Sequence, residues 1–257
     1  RISANQLTAC PEQLLDLPKL AWFAFSGNPF SRNQLNLDAV PEVSSASYQL
    51  QMQLGQGASG VISKATWLEN KLGLSDEVAV KVFKGAITSD GYPEDELNAC
   101  LQAGSHVNLV KNLAQVKEDN YLALIMELIP EHYQNLGLPP NFDTCTRDTF
   151  PQGFALSKTQ VNKMIKQMQS VFEHLHNNKV CHGDLYAHNT LFDQDANIIF
   201  GDFGAASMYQ MLTPNQQSKI KQIEQSGHGK HSTHSKHSKH SNHITHSTQD
   251  KQDKQNK

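Results

Sequence analysis

The residues of this chain that could do chemistry fall in a fixed order. A glycine loop comes first, Gly55-Gln-Gly57-Ala-Ser-Gly60-Val61. A lysine follows inside an apolar run, Val78-Ala-Val-Lys81-Val-Phe83, and then come Asp184, Asn189 and Asp202. Glycines let backbone N–H groups approach phosphate oxygens with no Cβ in the way. A lysine within an apolar strand needs an anionic partner, which a phosphate or a carboxylate can supply. Asp and Asn side chains are hard oxygen donors of the kind that hold magnesium against phosphate. Together such a set could carry phosphoryl transfer, which depends on positioning and charge neutralisation more than on covalent help.

These residues must be placed by ordinary elements. Tyr48 to Leu54 alternates apolar and polar, the period of a half-buried strand, and a second strand-like run follows through Trp67. A G-x-G-x-x-G loop alone also fits a dinucleotide site, where it leads from strand into helix. Here Val61 and Ile62 continue as strand, so the loop reads as the tip of a hairpin lid. Lys81 taken alone could be an outward-facing surface lysine; a glycine lid about twenty residues earlier favours the inward reading. A carboxylate partner is expected in the helical run Asp95-Glu96-Leu97-Asn98-Ala99-Cys100-Leu101, with Glu96 chosen and Glu94 and Asp95 as alternatives. Tyr121 to Met126 is an apolar strand ending in Glu127-Leu128-Ile129-Pro130. Lys158 to about Asn177 spaces Val161, Met164, Ile165, Met168, Val171, Phe172 and Leu175 as one helical stripe. It leads into Val180-Cys181-His182-Gly183-Asp184-Leu185-Tyr186-Ala187-His188-Asn189. After the strand-like Asn197-Ile-Ile-Phe200 stands Asp202-Phe203-Gly204.

This series resembles the protein kinases, with V-A-V-K, an H-R-D-L-x-x-x-N-like loop and D-F-G in family order. The resemblance implies an α+β, protein-kinase-like two-lobe fold with a complete N-lobe and a partial C-lobe. It implies ATP and Mg2+ as cofactors and a protein hydroxyl, of Ser or Thr, as acceptor. Asp184, Lys81 and Glu96 would be catalytic, and Asn189 and Asp202 would hold the metal. ATP would lie against Leu54, Gly55, Gly57, Gly60, Val61, Ala79, Lys81, Met126 as gatekeeper, Glu127, Ile129 and Leu191. Two positions depart from the family. Gly183 replaces the arginine that contacts a phosphorylated activation loop, and Tyr186 replaces the lysine near the transferred phosphate. His-Gly-Asp also resembles the loop of aminoglycoside and choline phosphotransferases, so a small-molecule phosphotransferase is one alternative. A catalytically impaired pseudokinase, or a nucleotide-binding regulatory module, is another, and a repeat-based scaffold a third.

The remaining chain divides by composition. Residues 1–30 fit the end of a leucine-rich repeat region, with Leu20, Phe23, Phe25, Asn28 and Phe30 in the L-x-x-L-x-L-x-x-N-x-L frame and Asn5 and Leu7 ending the repeat before. One amphipathic segment with chance spacing is the alternative. Residues 31–47 read as a linker and 48–212 as an incomplete kinase domain. Residues 213–257 read as a low-complexity, disordered tail in which His228, His231, His234, His237, His240, His243 and His246 recur every third residue. Incidental metal affinity is expected of those imidazoles. No A-P-E segment follows Ser207, and the chain opens on Arg1, so it reads as a truncated piece of a leucine-rich-repeat protein kinase. Such repeats imply a possible protein partner. A net charge of -3 gives no signature for nucleic acid, and no apolar run approaches the ~20 residues that span a bilayer. Four scattered cysteines fit a reduced, cytoplasmic chain. The mean hydropathy of -0.53 is low for a chain folded throughout.

Overall fold

The computed structural model describes residues 1–14, 16–20, 22–31, 40–85, 87–88, 90–141, 143–144 and 148–209. The expected tail, 213–257, and residues 32–39 of the expected linker lie outside the described residues.

Five strands form one antiparallel sheet. They are β1 (Tyr48–Gln56), β2 (Gly60–Trp67), β3 (Glu77–Phe83), β4 (Asn112–Glu118) and β5 (Tyr121–Glu127), in the order β1-β2-β3-β5-β4. Between β3 and β4 the chain makes helix α1 (Pro93–Ala103). Pro93 suits the first helical turn, Glu94, Asp95 and Glu96 face the positive end of the helix dipole, and Gly104 at φ 68° closes it. Beyond the sheet lie β6 (Gln134–Asn135), α2 (Lys158–Asn177), β7 (Val180–Cys181), β8 (Thr190–Phe192), β9 (Ile198–Phe200) and β10 (Ser207–Met208). The short strands pair as β6-β8-β9 and β10-β7. Helix α2 starts on a capping box, Ser157 accepting from the Gln160 N–H while the Gln160 side chain accepts from the Ser157 N–H.

The alternation in β3 sorts its residues to two cores. Val78 and Val80 join Tyr48, Trp67, Val116 and Ile125 on one face of the sheet. Phe83 joins Leu97, Leu101, Leu124, Leu175, Val180, Ile198, Phe200 and Phe203 in the larger core beneath α1 and α2. Strand β4 was not singled out by pattern, because Gln115, Lys117 and Glu118 mask the buried Ala114 and Val116.

Two expectations need correction. Strand β1 forms, but it is not half-buried. Leu50, Met52 and Leu54 are 42%, 66% and 47% exposed, while only Tyr48 is buried. Pairing with β2 shifts register between Leu50 and Gln53 and again between Gln53 and Gly55, so the strand bulges and twists off the core. The α2 stripe is also too wide. Met164, Val171 and Leu175 are buried, but Val161 and Ile165 are 38% and 46% exposed.

Within residues 1–31, the Ile2 and Ala4 N–H groups donate to the Ala24 and Ser26 carbonyls at 2.8 and 2.9 Å. The fully buried Asn28 binds four backbone groups through its side chain. Its Oδ1 accepts from the Asn5 and Leu7 N–H groups, and its Nδ2 donates to the Ile2 and Phe25 carbonyls. Phe25 stacks on Phe30 and meets Phe23 at a tilt, while Leu20 is 38% exposed. At the other end of the expected linker, the Val43 N–H donates to the Gln115 carbonyl, and Ser44 and Ser45 bind the Glu118 carboxylate. No described helix is long and apolar enough to cross a membrane.

Candidate active site

Lys81 lies in the middle of β3 opposite Ile62 on β2 and Leu124 on β5, so it is flanked by apolar strands on both sides. Its ammonium donates to Glu96 Oε1 on α1, and both side chains are almost wholly buried. Burial opposes the charged lysine, yet Glu96 and Asp202 outweigh it and hold the ammonium above its ordinary value. The expected partner, Glu96, is therefore the one in contact, with its Oε2 buried and without a hydrogen bond. Neither Glu94 nor Asp95 takes that place.

The β8–β9 hairpin brings the next pair together. Thr190 stands opposite Phe200, which puts Asn189, just before β8, beside the residues leading to Asp202. Asn189 Nδ2 donates to Asp184 Oδ2 at 3.2 Å and to the Asp184 carbonyl at 3.0 Å. Burial and the negative charge of Asp202 push the Asp184 carboxyl up to about 6, against the opposing pull of Asn189 and Arg1. Asp202 itself is exposed, at φ 53° in the left-handed region, with Oδ1 accepting from the Gly204 N–H. A Cβ placed on Gly204 would lie 3.2 Å from Asp202 Oδ1 and 3.9 Å from both Glu96 Oε2 and Ser59 Oγ of the glycine loop. The lid, the helix carboxylate and the D-F-G aspartate thus converge on one point.

The three glycines of the lid differ in what they face. A Cβ on Gly60 would sit 2.6 Å from the Val82 carbonyl oxygen, whereas at Gly55 and Gly57 nothing lies within 4 Å. Gly60 is required by the close approach of β2 to β3, whereas a side chain at Gly55 or Gly57 would meet open space.

Ala79 is buried opposite Met126, which is half-buried; Val61 and Leu191 are half-buried and Leu54 is exposed. The Glu127 N–H donates to the Lys111 carbonyl, while the Ile129 N–H has no hydrogen-bond partner among the described residues. The donor set suits magnesium. Asp202 is exposed and Asn189 spends its amide N–H on Asp184, leaving hard oxygens for an ion that keeps several waters and binds substrate phosphates. Among the described residues no three His, Cys, Asp or Glu side chains are gathered to hold a metal by themselves.

One support of this site, Asp148, carries no signal in the sequence, while His182, Gly183 and Tyr186 belong to the loop read there. Asp148 Oδ1 accepts from the Ala187 N–H at 2.8 Å and so steadies the loop between Asp184 and Asn189. His182 is buried, with Nε2 at 3.0 Å from the Gly201 carbonyl and its ring 5.3 Å from that of Phe203. Burial lowers its basicity below the ordinary histidine value. Tyr186 is pushed up to about 12 by burial and by the charges of Asp184, Asp202 and Asp148, so it stays a neutral phenol. Gly183 adopts φ 78°, and its carbonyl accepts from the Phe23 N–H at 2.9 Å.

A family model described as "Protein kinase domain" matches residues 48–224. Among curated proteins, the chain is 24% identical over 220 residues to "Serine/threonine-protein kinase SSN3" of Phaeosphaeria nodorum, covering 80% of this chain and 45% of that protein. It is 28% identical over 162 residues to "Serine/threonine-protein kinase 1" of Arabidopsis thaliana, covering 62% and 18%. It is 28% identical over 160 residues to "Cell division control protein 2 homolog 3" of Trypanosoma brucei brucei, covering 62% and 46%. The chain spans less than half the length of each of these relatives.

Proposed function

Because this chain belongs to the protein kinase domain family, we propose that it transfers the γ-phosphoryl group of ATP to a hydroxyl of a protein, with Ser or Thr as the acceptor. The observation that carries this reading is the buried Lys81–Glu96 pair, with the Asp202 charge reinforcing Lys81 and Ser59 of the glycine loop converging on the same point. In it Lys81 holds phosphate oxygens, and Glu96 fixes the lysine. Asn189 and Asp202 hold Mg2+, which when bound neutralises charge on the β- and γ-phosphates. Asp184 accepts the hydroxyl proton at Oδ1 or Oδ2, steadied by the amide of Asn189. The adenine lies between Leu54, Val61, Ala79, Met126 and Leu191, with the Glu127 carbonyl and the Ile129 N–H at its edge. Names of relatives support the Ser/Thr preference. The Asn28 hydrogen-bond pattern supports a leucine-rich repeat joined to the kinase domain, with a protein partner for that repeat.

The reading is tested by following labelled γ-phosphate from ATP into a generic protein substrate, with magnesium and with a chelator. Asp184→Ala is expected to lower the rate by about 10²-fold or more; an unchanged rate would rule out the assigned mechanism. A second reading, a regulatory module that binds nucleotide without turnover, is favoured by the neutral phenol of Tyr186 where a positive charge is expected. It predicts thermal stabilisation by ATP and magnesium with no transfer to protein. Transfer to an aminoglycoside or choline instead would identify a small-molecule phosphotransferase.

A further inference from the structure

The segment ahead of the kinase domain is fastened to the two parts of the site that must stay aligned. On one side it meets the catalytic loop and the stretch after D-F-G. The Phe23 N–H donates to the Gly183 carbonyl at 2.9 Å, and the Phe25 N–H donates to the buried Ser207 Oγ at 3.0 Å. On the other side it meets the turn that opens α1. Ser26 Oγ donates to the Asp90 carbonyl at 2.9 Å, and Arg1 Nε pairs with Asp90 Oδ1 at 2.7 Å while its guanidinium lies 3.3 Å over the Trp22 ring.

The crossings leave no room for side chains. A Cβ on Gly183 would meet the Phe23 carbonyl oxygen at 2.8 Å and the Ala205 carbonyl oxygen at 2.4 Å. One on Gly91 would meet Ser26 Oγ at 2.5 Å, and one on Gly27 would meet Asp95 Oδ2 at 2.8 Å. Gly183 takes the arginine's place in the H-R-D pattern, and here the Phe23 and Ala205 carbonyls occupy the space where a side chain would begin. The contact is thus backbone to backbone on the residue before Asp184, and backbone to side chain at Ser207.

We propose that residues 22–31 are a positioning element of the active site, bracing α1, which carries Glu96, against the catalytic loop, which carries Asp184. The brace is permanent, so alignment needs no phosphate on the segment after D-F-G. Gly183 is the residue that admits it. The proposal rests on the kinase reading for its consequence in rate, but the bracing itself is measurable without turnover.

The test uses the full chain with Phe23→Pro, which deletes the N–H donated to Gly183, and separately Ser207→Ala, which deletes the acceptor of the Phe25 N–H. Amide hydrogen exchange is read in α1, in residues 182–190 and in β2–β5, with binding of an ATP analogue and, where transfer occurs, kcat and KM. Exchange is expected to rise about tenfold in α1 and in residues 182–190 while β2–β5 are unchanged. Analogue affinity should stay within about twofold, and kcat should fall about tenfold with KM for ATP little changed. Exchange that is unchanged, or that rises uniformly across the sheet, would overturn the proposal, as would a rise in kcat, which would make the segment a brake. If neither the wild type nor the variants transfer phosphate, the kinase reading fails, while the exchange pattern still decides the brace.

Discussion

Lys81 and Glu96 form an ion pair shut away from water, and such a pair fails asymmetrically. Removing the lysine alone leaves a buried carboxylate uncompensated, so Lys81→Ala should cost about 3–5 kcal/mol in urea denaturation. The double variant Lys81→Met with Glu96→Leu should recover most of that stability and none of the nucleotide affinity. Asp184 makes a second prediction at this scale. Its carboxyl titrates near 6 rather than near 3.8, and a general base must be ionised, so kcat/KM should rise with pH through about 6 and level above it. The stability effect runs the other way. A carboxyl held high in the folded state favours folding below its unfolded pKa, and that contribution is lost as pH rises through about 6. Asp184→Asn should therefore melt somewhat higher than wild type at pH 7.5, with the difference fading by pH 4, as a calorimetric series would show.

The glycine hairpin separates structural from ligand-facing roles within one loop. Gly60→Ala forces a carbon against the Val82 carbonyl and should destabilise the sheet by about 1–3 kcal/mol. Gly57→Ala meets nothing and should leave the melting temperature within a degree or two while weakening ATP affinity. Elements of this kind were legible where pattern and packing agree. The run Val78 to Phe83 is apolar around one lysine and is buried at Val78, Ala79, Val80, Lys81 and Phe83, and Lys158 to Asn177 carries both a cap and an apolar stripe. Legibility failed where tertiary context chose between equivalent faces. Val161 and Ile165 belong to the stripe by spacing, yet α2 turns only Met164, Val171 and Leu175 fully inward. Leu50 and Met52 alternate correctly, but bulged pairing lifts them from the core. The site followed the same rule. Motif order led to the expectation that Lys81 pairs with Glu96 and that Asp184 and Asn189 share a loop, and the structure puts both pairs in contact. Asp148 was not singled out, since the Ala187 N–H that it accepts from lies 39 residues away and is backbone.

At the scale of the molecule, residues 1–31 and the candidate site share one body through polar bonds that include the buried Phe25–Ser207 contact. Asn28 is the knot of that segment. Asn28→Ala strands the backbone groups of Asn5, Leu7, Ile2 and Phe25, and should cost about 2–4 kcal/mol. The loss would be read as a lower melting temperature and earlier proteolytic cutting within residues 1–31. The bond from Phe25 to Ser207 spans 182 residues of sequence, which has a consequence during synthesis. At elongation rates of about 5–20 residues per second, on the order of ten to forty seconds separate the making of its two ends. Through that interval the Phe23 and Phe25 N–H groups lack their partners, the Gly183 carbonyl and Ser207 Oγ. Closing so long a loop is slow and comes after local contacts have formed. The strands of the sheet are therefore made before residues 23–25 can dock, and this contact is expected to form late in folding.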